Sequence, residues 1–328
     1  MDFIPIHRSE DHFQRTLNEF QINVICKRAF GTQVSILSVQ ELPAGMFNST
    51  YYVQIKGYPK LILRVSPDPA SFVFYNELLL LRREFTVQPY LAPVAEVIPK
   101  TIMADFTYQL VERDYVFQEY LEGELWDEIK DNLSSVENEQ LWEQLGRISR
   151  DIHQVHGSHF GYPYPMKQFS SWSEAVVDMI VGMQNDLVKL QLSTEGIARY
   201  LEILQAGRMF LEEIETPLLL HGDLWPKNVL VDRHGTEVKI VGLLDSERAV
   251  WGDPYAEWVF NMFDLHPAFW ISYGARMDNL NAHFRDLVYK GMYSIQLFLE
   301  AWRFKYDDSP FRQLLTHVTG EMQSILSK

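Results

Sequence analysis

Residues 218–254 read LLLHGDLWPKNVLVDRHGTEVKIVGLLDSERAVWGDP. An apolar run leads into Asp223, and Asn228 follows five positions later. Two strand-like runs then lead to Asp245. Asp and Asn are also common in turns, where their side chains bond nearby backbone groups, so Asp223 alone would indicate an ordinary turn. The three polar residues together, each beside a strand-like run, favour a functional site.

The spacing H-x-D-x-x-x-x-N is typical of the catalytic loop of phosphoryl-transfer enzymes. Such enzymes do little covalent chemistry themselves. They need hard oxygen ligands for Mg²⁺ over the phosphates and one carboxylate at the attacking hydroxyl. The pattern therefore predicts that Asp223 is the catalytic residue and that Asn228 and Asp245 bind Mg²⁺.

Three motifs of this stretch, HGDLWPKN, LLDSE and GDP, resemble the aminoglycoside phosphotransferase and choline kinase-like family. The resemblance implies an α+β, bilobal protein-kinase-like fold, in which a small N-lobe carries an antiparallel sheet and a large C-lobe is mostly helical. It also implies ATP, or GTP, bound between the lobes with Mg²⁺. Protein kinases fit less well, because LDSE stands where they carry Asp-Phe-Gly.

The hydrophobic pattern predicts where these lobes divide. Residues 9–29 and 71–86 have helical spacing, and strand-like runs cover 34–39, 49–55, 61–66, 94–99, 106–112 and 115–120. From residue 125 onward the pattern is mainly helical. We therefore predict an N-lobe at 1–118, a hinge at 119–124 and a C-lobe at 125–328.

Composition narrows the class of protein. The 328 residues are 47% hydrophobic and 13% aromatic, which is typical of a folded globular chain. The sequence has no run of eighteen apolar residues and no signal-peptide pattern, so we expect a cytoplasmic protein that does not enter membranes. The net charge of −15 argues against nucleic acid as a partner and favours a cationic acceptor, although an acidic surface also serves solubility. Whether the protein is a monomer or a homodimer stays open.

The nucleotide site is predicted from two further segments. Residues 39–55 stand where a phosphate-covering loop is expected, and Asn48, Ser49 and Thr50 are its candidate phosphate-binding residues, unless this is an ordinary hairpin turn. Arg64 stands where kinases carry the lysine that touches the α- and β-phosphates. Glu77 is its expected partner and Glu84 the alternative, unless the arginine makes a surface ion pair only.

Other contacts follow from the resemblance. It implies that the carbonyl of Glu119 and the N–H of Leu121 meet the adenine edge. Lys227 is placed to reach the γ-phosphate, unless it is a solvent-facing loop lysine. His221 is expected to brace the catalytic loop through hydrogen bonds.

The acceptor pocket is expected in the stretch YAEWVFNMFDLHPAFWISYG at residues 255–274. Glu257, Asp264 and Trp258 combine carboxylates with an aromatic ring, which suits a protonated amine. The alternative is an aromatic helix packed in the core.

The sequence thus predicts an ATP-dependent O-phosphotransferase for a small, cationic molecule, first of all an antibiotic of the aminoglycoside, macrolide or amicoumacin type. A metabolic kinase for choline, homoserine, methylthioribose or fructosamine is the alternative. Two further alternatives are a pseudokinase that binds nucleotide without turnover and a metal-dependent hydrolase. The identity of the acceptor is left open.

Overall fold

The N-terminal part of the chain is built on a six-stranded sheet. The computed structural model describes residues 1–9, 12–43, 45–235 and 237–327. The strands lie in the order β1-β2-β3-β4-β6-β5, all antiparallel except the parallel pair β1 and β2. Their bounds are β1 Asp2–Ile4, β2 Ile36–Leu42, β3 Ser49–Ile55, β4 Leu61–Val65, β5 Thr101–Asp105 and β6 Tyr115–Glu119.

The predicted N-terminal helix begins later than its apolar spacing indicated. Helix α1 covers Glu19–Phe30, and Asn18 closes a capping box with Gln21 at its start. Positions 10 and 11 of the predicted helix lie outside the described residues. Helix α1 packs on one face of the sheet, with Ile22, Ile25 and Cys26 in the shared core.

The predicted helix at 71–86 is divided in two. A 3₁₀ turn covers Tyr75–Glu77, and helix α2 begins only at Leu80 and ends at Val87. Leu79 between them has φ 57°, a left-handed conformation that no helix interior adopts. Glu77 and Glu84 therefore belong to different elements.

Two of the predicted strands are wrong. Residues 94–99 end a 3₁₀ stretch, Gln88–Val94, and continue as turns, and residues 106–112 are turns and bends. The strand between them, β5, uses 101–105 instead. Pro93 precedes the first run and Pro99 ends it, and proline lacks the N–H that a strand ladder requires.

The C-terminal part is mainly helical, as predicted. Its helices are α3 Trp126–Ile129, α4 Ser135–Ile152, α5 Trp172–Lys189, α6 Ile197–Ala206, α7 Met209–Glu212, α8 Trp258–Met262, α9 Pro267–Tyr273, α10 Leu280–Phe304 and α11 Ser309–Leu326. Its short strands are β7 Glu124–Leu125, β8 Leu218–Leu220, β9 Val229–His234, β10 Glu237–Leu243 and β11 Val250–Gly252. The mixed architecture, with an antiparallel-rich sheet first and helices after it, confirms the predicted α+β fold class.

The chain passes from the first sheet to the second over residues 119–124. Strand β6 ends at Glu119, and β7 begins at Glu124 and pairs with β9. This crossing is consistent with a hinge, and the lobe boundaries at 1–118, 119–124 and 125–328 stay a prediction. Residue 328 lies outside the described residues. Within the described ranges, no helix has the length and apolar character needed to cross a lipid bilayer.

Candidate active site

A cleft of about 1000 Å³ lies between the first sheet and the helical part. Its walls come from β3 and β4, the 119–124 crossing, the loop between β8 and β9, and helices α5 and α10. Ten of the residues predicted for the catalytic, nucleotide and metal sites line it: Asn48, Thr50, Arg64, Glu77, Glu119, Leu121, Asp223, Lys227, Asn228 and Asp245.

The loop after β8 holds Asp223 and Asn228 against each other. The side-chain amide of Asn228 donates to the backbone carbonyl of Asp223 at 3.0 Å and to its Oδ2 at 2.9 Å. Gly222 makes the turn possible with φ 81°, and a Cβ there would lie 2.1 Å from the carbonyl oxygen of Arg248. Only glycine fits at this crossing of two backbone segments.

Burial raises the pKa of Asp223 to about 7, although the nearby Arg248 guanidinium favours the charged form. A carboxyl group with such a pKa titrates near neutral pH, as a general base requires. The single hydrogen bond from Asn228 keeps Oδ2 oriented, and no described residue donates to Oδ1.

Asp245 meets Arg64 at the end of β10. The Arg64 guanidinium lies 2.7 Å from Oδ1 of Asp245, 2.7 Å from Glu84 and 2.6 Å from Glu247. Burial opposes the charge of Arg64, but these three carboxylates raise its pKa above the ordinary value. Glu247 also accepts a 2.6 Å hydrogen bond from the side-chain amide of Asn48, which joins the 39–55 loop to this cluster.

The predicted pair of Arg64 with Glu77 is wrong. Glu77 forms its ion pair with Arg303 of α10, and its other oxygen caps the 3₁₀ turn at the N–H of Phe74. The partner from the helix is Glu84, the alternative considered from the sequence. The break at Leu79 explains the difference, because it rotates Glu77 away from the face of α2 that meets β4.

The oxygens available in this region fit a divalent cation. Oδ1 of Asn228 and Oδ2 of Asp245 accept no hydrogen bond from any described residue, and both are the hard donors that Mg²⁺ prefers. The described residues contain no cluster of three or more His, Cys, Asp or Glu side chains suited to a metal. A two-ligand site of this kind is the usual Mg²⁺ arrangement when substrate phosphates complete the shell.

A family model agrees with the geometry. Residues 38–283 match the model described as "Phosphotransferase enzyme family", which covers most of β2, strands β3 to β6, the crossing, the catalytic loop and the beginning of α10. The chain belongs to the phosphotransferase enzyme family. The predicted family resemblance is thereby confirmed.

Curated relatives of this phosphotransferase family member are much longer proteins. Acyl-CoA dehydrogenase family member 11 from Homo sapiens and from Pongo abelii is 23% identical over 240 residues, which cover 70% of this chain and 28% of that protein. The chain therefore spans about 28% of the length of the curated relatives it matches.

Solved structures of similar fold include two aminoglycoside phosphotransferases. The GDP complex of aminoglycoside 2'-phosphotransferase-IIIa superimposes with a TM-score of 0.61 at 17% identity, covering 93% of this chain and 99% of that chain. Aminoglycoside phosphotransferase APH(4)-Ia, in complex with AMP-PNP and hygromycin B, gives 0.59 at 17% identity, covering 94% and 98%. At this identity the similarity establishes the fold, and the predicted kinase-like architecture is confirmed.

In this phosphotransferase family member the 39–55 loop contributes less than predicted. The hydroxyl of Ser49 donates to the carbonyl of Arg15, and the residue is fully buried on the core face of β3. Thr50 faces the cleft, because successive side chains of a strand point to opposite faces. Ser49 is therefore not available to a ligand in the cleft.

The predicted contacts of Leu121 and Lys227 with the nucleotide remain predictions, but the groups around these two residues are compatible with a bound nucleotide. The N–H of Leu121 donates to no other group in the described part of the chain, and Ile62, Leu230 and Leu244 line the cleft beside it. The Lys227 amine lies 4.8 Å from the ring centroid of Trp225.

The predicted acceptor carboxylates are not in the cleft. Glu257 is fully buried, accepts from the backbone N–H of His221 at 3.1 Å and lies 3.3 Å from Nε2 of His153. Asp264 is exposed and absent from the cleft lining. Of these three residues, Trp258 is the one that lines the cleft. Neither carboxylate on which the amine-binding hypothesis depended is in a position to bind an amine there.

His221 also differs from its predicted role. Neither ring nitrogen has a hydrogen-bond partner among the described residues, and burial lowers the pKa of its imidazole to about 4. The loop is braced instead by the backbone N–H of His221 on Glu257. Asp253 fixes the segment after β11 to α10, accepting from Arg285 at 3.0 Å and from Tyr289 at 2.7 Å.

Several cleft residues had no predicted role: Arg83, Tyr162, Arg248, Tyr293 and Glu300. Arg248 lies between the motifs LLDSE and GDP. A charged residue at this place, between two strands, was a signal in the sequence that could have indicated a role in the site. Arg83, Tyr162, Tyr293 and Glu300 come from distant segments, and no local pattern connects them.

Proposed function

We propose that this chain transfers the γ-phosphoryl group of ATP to a hydroxyl group of a small molecule. The observation that carries the proposal is the convergence of Asp223, Asn228 and Asp245 on one cleft, with Asn228 hydrogen-bonded to Asp223 and Arg64 paired with Asp245. Family membership supports the reaction class. GTP is the alternative phosphoryl donor.

In this proposal Asp223 orients the acceptor hydroxyl and takes its proton. The hydroxyl oxygen forms a bond to the γ-phosphorus, the bond from that phosphorus to the bridging oxygen breaks, and the nucleoside diphosphate leaves. A pKa near 7 allows Asp223 to be ionised before transfer and protonated after it. The buried position excludes water that would compete as the acceptor.

Arg64 acts as the positioning cation of the nucleotide site. Its guanidinium is fixed by Glu84 and Glu247 and reaches toward the cleft beside Asp245. Asn228 and Asp245 would hold Mg²⁺, which neutralises charge on the phosphate oxygens when bound. Lys227, which directly precedes Asn228 in the loop between β8 and β9, is the candidate contact to the transferred γ-phosphoryl group.

The acceptor is proposed only as a small hydroxyl compound. The antibiotic acceptor and the metabolic alternatives both stay predictions, because relatives at 17% identity share the fold and not necessarily the substrate. The relatives solved with GDP or with AMP-PNP and hygromycin B are the reason to include nucleotides and aminoglycosides in a first panel.

The first prediction tests Asp223 directly. In Asp223→Asn we expect acceptor-dependent ADP release to fall by about 100-fold or more, because the proton acceptor is gone. The affinity for Mg²⁺·AMP-PNP should stay within a few-fold. Turnover is measured as ADP release with a panel of hydroxyl compounds, with water as the background acceptor, and affinity by calorimetry.

Asp232→Asn is the matched control, because Asp232 is a half-exposed carboxylate on β9 outside the cleft lining. A large loss of nucleotide affinity in Asp223→Asn would contradict the assigned role. Wild-type protein that binds nucleotide but releases no ADP with any acceptor would favour the pseudokinase alternative.

A further inference from the structure

One side of the cleft, which we name the arginine arm, is built from Arg83, Arg248, Tyr162, Tyr293 and Glu300. Arg83 comes from α2, Arg248 follows Asp245, and the other three come from the loop before α5 and from α10. Apolar side chains complete this wall: Met179, Met183 and Met292. None of these residues belongs to the 119–124 crossing.

Arg83 is a fully buried cation without a counter-ion. Its guanidinium lies 3.9 Å from the ring centroid of Tyr162, donates to the carbonyl of Asn76 at 2.8 Å and approaches that of Ala249 at 3.4 Å. Its Nε has no hydrogen-bond partner, and no described carboxylate lies within 4.0 Å of the group. Burial lowers the pKa of Arg83 to about 10, so it remains protonated at neutral pH.

Arg248, which is half-buried, is the second arginine of this wall. In the described parts of the chain it makes neither a hydrogen bond nor an ion pair within 4.0 Å. Burial opposes its charge, but Glu300 and then Asp223 act from longer range and raise the pKa of its guanidinium above the ordinary value. Arg248 therefore faces the cleft fully charged with all of its donors available.

A fully buried guanidinium, that of Arg83, and a half-buried one, that of Arg248, are costly in one wall unless an anion meets them. An unpaired buried charge destabilises the folded protein, and so such groups normally have a partner. The chain has 44 acidic and 29 basic residues, and carboxylates are therefore abundant. Arg64 shows that this fold can surround a buried arginine with carboxylates, as it has three within 2.7 Å.

The position of the arginine arm indicates which ligand supplies the anion. Arg64 already serves the side of the cleft with the Mg²⁺ ligand Asp245. Arg248 instead lies beside the catalytic loop, because its backbone carbonyl is the atom that a Cβ on Gly222 would meet, and the next residue of that loop, Asp223, is the one that meets the acceptor hydroxyl. An anionic group on Arg83 and Arg248 would lie on the acceptor, close to the hydroxyl that is phosphorylated.

We propose that the arginine arm binds an anionic group of the acceptor, a carboxylate or a phosphate, through Arg83 and Arg248. The acceptor is then a hydroxy acid or a phosphorylated alcohol, rather than a purely cationic molecule. This inference rests on the proposed phosphotransferase function.

The test titrates tryptophan fluorescence of the full chain, saturated with Mg²⁺·AMP-PNP, with acetate and separately with methyl phosphate at constant ionic strength. Trp172, Trp225 and Trp258 line the cleft and report binding there. We expect saturable binding of at least one anion, and the stronger of the two identifies carboxylate or phosphate as the group. Arg248→Met and Arg83→Met should each weaken that binding by about tenfold or more, because each removes charge-assisted hydrogen bonds.

Four further variants serve as controls. Arg248→Lys and Arg83→Lys keep the charge and should retain part of the binding if a methionine variant fails to fold. Glu300→Gln should tighten anion binding several-fold, because it removes the foremost carboxylate acting on Arg248. Arg312→Met changes a half-buried arginine on α11 that is paired with Asp308 and lies outside the cleft lining, and it should leave anion binding unchanged.

Absence of saturable anion binding in the wild type, or binding that both methionine variants leave intact, would overturn the inference. A tenfold loss of AMP-PNP affinity in Arg248→Met would overturn it too, since the guanidinium would then serve the nucleotide. Wild-type protein that fails to bind Mg²⁺·AMP-PNP refutes the proposed function itself. Protein that binds the nucleotide but not the anions refutes only this inference.

Discussion

Arg64 and the arginine arm use the same side chain in opposite ways within one cleft. Arg64 is surrounded by Glu84, Asp245 and Glu247, all within 2.7 Å. Arg83 and Arg248 have no described carboxylate within 4.0 Å. All three line the same cavity.

Arg64 has its carboxylate partners within the folded protein. Arg83 and Arg248 have none among the described residues, and a bound ligand would supply the counter-ion. A paired guanidinium is held in one geometry, so it can position neighbouring groups such as Asp245. A guanidinium without a carboxylate partner keeps its charge, and those hydrogen-bond donors that no backbone carbonyl accepts, for a bound anion, at the cost of a less favourable folded state. Stability measurements can therefore distinguish the two kinds of arginine without knowing the substrate.

The largest expected effect is at Arg64. Arg64→Met leaves Glu84 and Glu247 buried without their cation, and we expect the free energy of unfolding to fall by about 3–5 kcal/mol. Urea denaturation at pH 7 measures it. Arg312→Met, which removes a surface pair, should change stability by less than about 1 kcal/mol. An equally small effect at Arg64 would mean that its carboxylates are satisfied by solvent and would remove the contrast.

A smaller effect concerns His221, a buried group that, unlike arginine, can lose its charge. Its pKa is about 4 in the folded protein, against about 6.5 when unfolded. Between these values the unfolded chain binds a proton that the folded chain does not. Folding stability is therefore complete above pH 6.5 and decreases as the pH falls toward 4. From pH 7 to pH 5 this single group should remove about 2 kcal/mol.

His221→Leu isolates that contribution, because leucine has no ionisable group. Urea denaturation of both proteins at pH 7 and pH 5 should show the wild type losing about 2 kcal/mol more than the variant. Parallel losses would indicate that the imidazole is solvated or paired in solution. The His221 imidazole would then not be a neutral buried group that contrasts with the charged guanidinium groups of the arginine arm.

The smallest stability effect is expected at Arg248. Since it has no close ion pair to break, Arg248→Met should leave the free energy of unfolding within about 1 kcal/mol of wild type, or raise it. Urea denaturation beside Arg64→Met gives a direct comparison of the two arginines. A loss of 3 kcal/mol or more would show that Arg248 is paired in solution and would weaken the case for an anion site.

The sequence by itself determined the elements whose signal is local. The spacing from Asp223 to Asn228, the strand leading to Asp245 and the glycine at 222 lie within one short stretch, and the hydrophobic period distinguished the first sheet from the later helices. Family membership followed from the same stretch and is confirmed. Each of these features depends on neighbours in the chain, which is why a reading of the chain could find them.

Tertiary structure decided everything that depends on long-range pairing. The left-handed Leu79 moved Glu77 from Arg64 to Arg303, which is 226 positions away, and the buried contact with His221 took Glu257 out of the cleft. The arginine arm joins α2, the segment after β10 and helix α10. Whether a charged side chain meets a counter-ion depends on packing between such distant segments, and no spacing along the chain records it.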